Sequence, residues 1–254
     1  MEPKPILTRT KRMTAKERTS LDRDIRDILN ELNDRKSHHH ISRLKLFAWR
    51  TTVRSTYIFK RFADLVISEL ALIALSPLFL LLAIVIKLTS RGPVFFVQVR
   101  VGRYGRHFRF YKFRSMYVDA EERKKALLAQ NQSADGVIFK MKNDPRITPV
   151  GKLLRRTSMD ELPQLLNVLF GDMSLVGPRP PVPSEVQQYT LDDRKRLEVK
   201  PGLTCLWQVS GRSDIPFKQQ VRLDQEYIRA MGIKNDLVIL LRTIPAILTG
   251  RGAY

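Results

Sequence analysis

The sequence is short of several things. It has one cysteine, Cys205, in 254 residues, which excludes an internal disulfide framework and a cysteine-built zinc cage and suits a reducing compartment. Residues 1–60 contain no apolar run of the kind a secretory signal uses, so none is expected there. GxxxxGK[ST], HExxH and GxSxG patterns are all missing. Gly102 and Gly105 lack the strand–helix setting of a dinucleotide loop, and a hairpin turn explains them better than a nucleic-acid clamp of the KH type. No acidic residue occurs between Glu69 and Asp119, and no charge of either sign between Leu70 and Ile86.

What is abundant is positive charge. Lys and Arg number 45 against 25 Asp and Glu, a formal charge of +20. Such a chain is drawn to nucleic acid, phospholipid or a polyphosphorylated substrate. Its 43% hydrophobic content is enough for a packed core, and its length suits one large domain or two small ones. Residues 1–60 hold 15 basic and 7 acidic side chains, +8 of the total. Within them Leu21, Ile25, Ile28, Leu29 and Leu32 recur at helical spacing, predicting an amphipathic helix over 15–32. His38, His39 and His40 are adjacent and cannot share one face, so they read as a polar turn.

Residues 62–88 differ in kind. The charge-free run is slightly shorter than the ~20 residues of a straight membrane span, but it is apolar on every side, which favours a membrane segment over a buried soluble helix. Lys60 and Arg61 precede it, and Lys87, Arg91, Arg100 and Arg103 follow. Basic flanks at both ends favour keeping both on the cytoplasmic side. Pro77 removes a helix hydrogen bond in mid-run, and the Ser76 hydroxyl can help satisfy the groups so freed. A helix that enters, bends at Ser76-Pro77 and returns fits these facts; the alternative is a kinked span with the tail outside.

Beyond Arg91, two β-rich runs at 94–99 and 108–113 flank Gly102–Gly105, which predicts a hairpin. A charged helix is expected over 119–130, then a polar loop at 131–136. Residues 153–170 read as a helix interrupted at Pro163, 171–183 as a Gly/Pro-rich loop, and 184–197 as another helix. Turns surround Leu206–Val209, a helix follows through Tyr227, and an apolar stretch over 237–248, kinked at Pro245, suits the membrane interface.

The densest polar constellation is Asp160-Glu161, with Arg155, Arg156 and Arg179 around it. A carboxylate can attack phosphorus once cations neutralise the phosphate oxygens. Its neighbour can hold a divalent cation such as Mg²⁺, which commonly uses one or two carboxylates plus substrate phosphates. Adjacent helical residues point about 100° apart, so a division of labour is expected rather than a symmetrical dyad. The plain alternative is a surface helix with an Arg156–Asp160 pair at i, i+4.

Four segments then carry a family resemblance: Lys112–Met116, Ser158–Gln164, Gly171–Pro180 and Pro201–Arg212. In this order they resemble the bacterial sugar transferases, the monotopic phosphoglycosyl transferases that start lipid-linked glycan assembly. The resemblance runs from about Lys60 to the C-terminus. It implies a mainly helical α+β fold with a Ser-Pro-broken re-entrant helix and a small β-hairpin. It implies transfer of a sugar-1-phosphate from a UDP-sugar to polyprenyl (undecaprenyl) phosphate, with release of UMP, as the first step of exopolysaccharide, capsule or O-antigen assembly. On this resemblance Asp160 is the nucleophile that forms an aspartyl phosphosugar, and Glu161 with Asp160 binds Mg²⁺. Lys112, Arg155 and Arg179 hold phosphates, Trp207, Gln208 and Arg212 lie at the nucleotide-sugar pocket, and Ser76 and Pro77 break the membrane helix. Cys205 stands where the family usually has Gly, so that turn is expected to differ.

The expected organisation is a basic extension over 1–55, a re-entrant helix over 56–90 and a cytoplasmic catalytic domain over 91–254. The protein would sit in the cytoplasmic membrane, facing the cytoplasm. Anionic lipids meet the basic stretch from Lys87 to Arg114, at ~1 kcal/mol per basic residue near the surface. Larger family members carry further membrane helices and a soluble domain ahead of this region, and the role of residues 1–55 stays open. A homodimer would be compatible with all of this. The rival readings are a basic membrane-associated nucleic-acid binder, supported by charge alone and lacking any recognised motif, and an inactive membrane scaffold, against which the intact Asp160-Glu161 pair speaks. The sugar is not readable.

Overall fold

The computed structural model describes residues 57–127, 131–132, 137–139, 141, 143–250 and 252. The expected helix at 15–32 and the histidine turn at 38–40 lie outside these residues.

The described chain is mainly helical, with two small sheets. Helices α1 (Tyr57–Ala74) and α2 (Ser76–Thr89) meet at a 60° bend. Among the described residues no single helix is long and apolar enough to cross a membrane, but this bent pair passes that test together. The bend has a local cause. In an unbroken helix the N–H of residue 77 would donate to the Ile73 carbonyl, and Pro77 has no N–H. The Ser76 hydroxyl donates to that carbonyl instead, at 2.8 Å. Pro77 thereby falls in the first turn of α2, where a missing donor costs nothing.

One face of the pair is fastened to the rest of the protein. Arg61 donates to the carbonyls of Val168 (2.6 Å) and Leu169 (2.9 Å). Asp64 accepts from the Leu175 N–H at 3.0 Å, and Lys60 pairs with Asp236. The other face is apolar and exposed: Ile58, Phe62, Leu70 and Ile73 on α1, and Leu80, Leu81 and Leu88 on α2.

The hairpin is as the sequence predicts. Strands β1 (Phe95–Val101) and β2 (His107–Phe113) pair antiparallel, from Phe95 opposite Phe113 to Val101 opposite His107. Phe113 stacks on Phe95 at 5.3 Å between ring centres and meets the tilted ring of Phe79 of α2 at 5.2 Å, joining the hairpin to the bent pair. Helix α3 (Ala120–Leu127) follows.

Two helix predictions are corrected. Residues 153–170 do not form one helix broken at Pro163. They are divided among α4 (Pro149–Arg156), a 3₁₀ turn at Met159–Glu161 and α5 (Gln164–Phe170). The first break lies at Ser158, whose φ of 57° is left-handed and cannot continue a right-handed helix. Residues 184–197 hold only the four-residue α6 (Pro183–Val186) and a 3₁₀ turn at Asp193–Leu197. Between them Asp193 accepts from the Thr190 N–H (2.9 Å) while the Thr190 hydroxyl accepts from the Asp193 N–H (3.2 Å). These side chains take over donors that a helix would have used.

A second sheet, not expected from the sequence, pairs β3 (Ser174–Val176) parallel with β4 (Gly202–Thr204). Helices α7 (Phe217–Arg229) and α8 (Ile233–Thr249, with Pro245 inside it) close the fold. Phe110, Leu165, Val168, Met173, Leu175, Val176, Tyr227 and Ile239 form the main core, in which β2, α5 and β3 meet α7 and α8.

Candidate active site

The site begins with the hairpin. Alternate residues of a strand share a face, and Phe96, Gln98 and Arg100 of β1 and Lys112 of β2 line one cavity of about 590 Å³. The adjoining wall is the 3₁₀ turn that carries Asp160 and Glu161. This turn, tight and left-handed at its start, replaces the expected helical surface. Asp160 is only 5% exposed, and α4 ends at Arg156, so the surface Arg156–Asp160 pair does not form. The partner is instead Lys112, whose Nζ lies 2.6 Å from Glu161 Oε1 and 3.8 Å from Asp160 Oδ2. Arg179 donates to the same Glu161 oxygen at 3.2 Å.

These neighbours drive the two adjacent carboxyls apart. Burial raises both, but at Glu161 the charges of Lys112 and Arg179 more than offset it and hold the carboxyl at about 2. At Asp160 burial prevails over the more distant Lys112, Glu161 adds like-charge repulsion, and the carboxyl rises above its ordinary range. Burial likewise pushes the Lys112 ammonium below its usual value, against the pull of Glu161 and Asp160. Glu161 is thus a fixed anion, whereas Asp160 is a desolvated carboxyl with little direct pairing, so the two adjacent groups have unlike surroundings.

Arg179 is placed by a junction of two glycine motifs. Gly177 follows β3 and Gly202 opens β4, so close together that a Cβ on Gly202 would lie 2.0 Å from the Gly177 nitrogen. The Gly177 N–H donates to Thr204 O (3.0 Å) and the Gly202 N–H to Pro178 O (2.9 Å). Only residues without a side chain permit that approach, and it fixes the loop from which Arg179 enters the cavity. β1 holds the far side of the loop: Arg100 donates to Pro180 O (3.0 Å) and the Val101 N–H to Pro181 O (2.9 Å).

Arg155, Trp207, Gln208 and Arg212 line the same cavity. All eight residues expected at the chemical site therefore face one space, although they come from segments up to a hundred residues apart. Cys205 is buried and donates to Gln208 Oε1 at 3.0 Å. Its φ is not positive, so its Cβ is accommodated in ordinary backbone.

Two residues were missed. Arg100 was legible from strand alternation with Gln98; its guanidinium stacks on Phe110 at 5.1 Å and reaches the Arg179 loop. Ser158 was quoted only as part of a motif. It shares with Arg212 an uncommon left-handed backbone (φ 57° and 54°), and Arg212 donates to its hydroxyl at 3.3 Å. Strained residues cluster at functional sites, but nothing in the sequence announces a positive φ at a serine.

The donor set fits a divalent cation of the Mg²⁺ kind. Lys112 and Arg179 both bind Glu161 Oε1, and the other oxygen makes no hydrogen bond to a described residue. Two adjacent carboxylates open to a cavity, with no third acidic, histidine or cysteine ligand grouped with them among the described residues, suit an ion that completes its shell with water and substrate phosphate.

The profile of the bacterial sugar transferase family matches residues 55–250. The chain belongs to that family. It is 55% identical over 163 residues to the galactosyl transferase CpsE of Streptococcus agalactiae serotype III, covering 64% of this chain and 36% of CpsE. It is 47% identical over 205 residues to the undecaprenyl-phosphate galactose phosphotransferase of Salmonella typhimurium, covering 79% and 43%. Against the exopolysaccharide production protein ExoY of Sinorhizobium fredii the identity is 42% over 200 residues, 78% of this chain and 88% of ExoY. The matched region of this chain is thus less than half of the first two relatives and nearly all of the third.

Proposed function

We propose that this sugar transferase moves a sugar-1-phosphate from a UDP-sugar to undecaprenyl phosphate, the opening step of exopolysaccharide, capsule or O-antigen assembly. The observation that carries the reading is the buried, weakly paired Asp160 carboxylate beside a fixed Glu161 in a cation-lined cavity. The names of several relatives, which specify undecaprenyl-phosphate galactose and glucose phosphotransferases, point the same way.

In the first displacement an Asp160 oxygen attacks the sugar-bearing phosphorus. The bond from that phosphorus to the UMP oxygen breaks, and UMP leaves with the electron pair. In the second, an oxygen of polyprenyl phosphate attacks the same phosphorus and the bond to Asp160 breaks. The carboxylate is regenerated, and polyprenyl-diphospho-sugar is the product. Lys112, Arg155 and Arg179 neutralise the phosphate oxygens; preorganised cations in a site of low polarity are worth far more than in water. Trp207, Gln208 and Arg212 border the nucleotide-sugar. Mg²⁺, held by Glu161 and Asp160, would add Lewis-acid stabilisation of phosphate charge.

The soluble donor and the lipid acceptor must reach one phosphorus in turn, so the cavity belongs at headgroup height. The bent pair supplies that placement if α1 enters the cytoplasmic membrane and α2 returns to the same side, leaving residues 91–254 in the cytoplasm as the catalytic domain. The exposed apolar stripe of α8 (Ile233, Leu237, Leu241, Ile244, Leu248) suits the interface beside it.

The test is UMP release by purified protein in nanodiscs with Mg²⁺ and a panel of UDP-sugars, with and without polyprenyl phosphate. Turnover with one sugar that requires both additions is expected. A donor-only incubation should add one phosphosugar mass to the peptide containing Asp160. Turnover without that adduct, and undiminished in Asp160→Asn, would overturn the covalent route.

A further inference from the structure

Strand β3 is three residues long, yet it divides two cavities. Leu175 lines the catalytic cavity, while Ser174 and Val176 line a second one of about 240 Å³ on the opposite face. This second cavity lies at the head of α1. Its wall carries four basic side chains, Lys60, Arg61, Arg103 and Lys200, against one acidic one, Asp64.

Most of these groups are already engaged. Lys60 pairs with Asp236, and Asp64 accepts from the Leu175 N–H. Arg61 binds the two carbonyls at the end of α5, and Arg103 donates to Glu198 O at 3.0 Å. Lys200 is the exception, with no hydrogen bond or ion pair to any described residue. Burial, reinforced by the charges of Arg61 and Arg103 and opposed by those of Asp64 and Asp172, pushes its ammonium below the ordinary lysine range. Ser174, in the same wall, is 1% exposed, and its hydroxyl has no hydrogen-bond partner. Arg61 and Lys200 also converge: a Cβ added at Gly171 would sit 3.3 Å from Arg61 Nη2 and 3.7 Å from Lys200 Nζ. A buried hydroxyl without a partner calls for explanation, as does a half-buried ammonium that lies among Arg61, Arg103, Asp64 and Asp172 without pairing to either carboxylate. An acceptor with several negative oxygens would answer both.

We propose that this cavity is a second anion site, separate from the catalytic one, which takes a phosphate group on Lys200 and the Ser174 hydroxyl, with Arg61 and Arg103 supplying the surrounding field. The phosphate can come from an anionic phospholipid headgroup or from a soluble phosphate. The exposed apolar residues Tyr57, Ile58 and Phe59 begin beside the cavity, which favours the lipid. That preference rests on the membrane reading given above, whereas the anion site does not.

The test is pulse acetylation of lysines in the full-length protein, read peptide by peptide by mass spectrometry. Three preparations are compared: phosphatidylcholine nanodiscs alone, the same discs with inorganic phosphate against a chloride control of equal ionic strength, and discs that include phosphatidylglycerol. An occupied site should slow Lys200 modification by about fivefold, the protection that four-fifths occupancy gives. Lys195, exposed and paired with Asp192, should not change. Protection by phosphatidylglycerol alone identifies a lipid phosphate, and protection by inorganic phosphate as well identifies a site for soluble phosphate. Ser174→Ala should weaken either. Unchanged Lys200 labelling in every arm, or equal protection of Lys195, would overturn the site. Labelling does not depend on turnover, so inactive protein can pass this test and active protein can fail it.

Discussion

The wall of the catalytic cavity and the outer face of the bent helix pair are built by opposite rules. In the cavity, charges are withdrawn from water: Lys112 and Glu161 side chains keep 15% and 17% of their surface, and Asp160 keeps 8%. On α2, Leu80 and Leu81 keep 64% and 56%, and Leu88 keeps 81%. A water-soluble enzyme would reverse the second pattern. The two inversions belong together if the apolar face lies in lipid and the charged cavity opens where lipid phosphates lie. Each side of this contrast can be broken separately.

The largest effect is expected at Asp160. Asp160→Asn should abolish UMP release, since the amide is no nucleophile. It should also stabilise the fold. Burial raises the Asp160 carboxyl in the folded state, so its contribution favours folding below the unfolded value and is lost as pH rises through the folded one. At neutral pH the ionised group therefore opposes folding, and neutral Asn relieves it. A rise in the thermal midpoint by about 2–4 °C is expected, the shift that ~1 kcal/mol gives in a chain of this size. A lower midpoint would mean that the pairing with Lys112 outweighs desolvation.

Glu161→Gln should act in the other direction on stability. Its carboxyl is held at about 2, so its stabilising contribution is present at neutral pH and is lost only as pH falls toward that value. Removing the charge leaves Lys112 and Arg179 without their shared partner, a loss of about 3 kcal/mol for a buried pair. Denaturant unfolding of the two variants side by side should give shifts of opposite sign. The activity profile sharpens the same contrast. The acid limb of kcat/KM should fall at a pH above the ordinary aspartate value, through the raised Asp160, and should move higher still in Lys112→Met, which removes an opposing cation.

On the outer face the rule is tested by adding charge. Leu81→Arg should change stability in detergent by no more than ~0.5 kcal/mol, because the side chain is exposed. In vesicles it should weaken insertion by roughly 3 kcal/mol, the cost of Arg near the middle of a membrane helix. Flotation that is unchanged by Leu81→Arg would remove α2 from the bilayer.

How much of this could be read beforehand varies with the range of the interactions. The hairpin was legible because both strands and Gly102–Gly105 are local signals, and the bent pair was legible because a charge-free run with one Ser-Pro is local too. The β3–β4 pair was not. Its strands are three residues long and lie inside Gly/Pro-rich stretches, where the glycines that permit the close approach mask the strand signal. The residue pattern singled out Asp160 and Glu161 and the family resemblance added Lys112, but only the fold brings Lys112 within 2.6 Å of a residue 49 positions away. That contact, the Arg179 bond to the same oxygen and burial together separate the two carboxyls chemically. The second cavity left no trace in the sequence, since Arg61, Ser174 and Lys200 belong to no common motif.

The smallest expected effect tests the joint between the two halves of the bent pair. Ser76 Oγ occupies the Ile73 carbonyl that an N–H at position 77 would otherwise fill. Ser76→Ala should therefore cost about 0.6 kcal/mol, the average for a side-chain hydrogen bond within a membrane protein, while the bend survives because Pro77 still breaks the ladder. Pro77→Ala restores a donor for Ile73 and makes the hydroxyl redundant. In that background Ser76→Ala should cost nothing measurable. A coupling energy equal to the whole effect of the single Ser76 change would show that serine and proline act as one device. Additive effects would mean that the Ser76 hydroxyl contributes nothing to the break. Pro77→Ala also removes the reason for the 60° turn, and α1 and α2 joined in line would be about 50 Å long at 1.5 Å per residue, more than the ~30 Å hydrocarbon core requires. Maleimide labelling of Ile58→Cys and Thr89→Cys in intact spheroplasts then reads the outcome: both protected with Pro77 present, and one exposed to the outside if the straightened helix crosses.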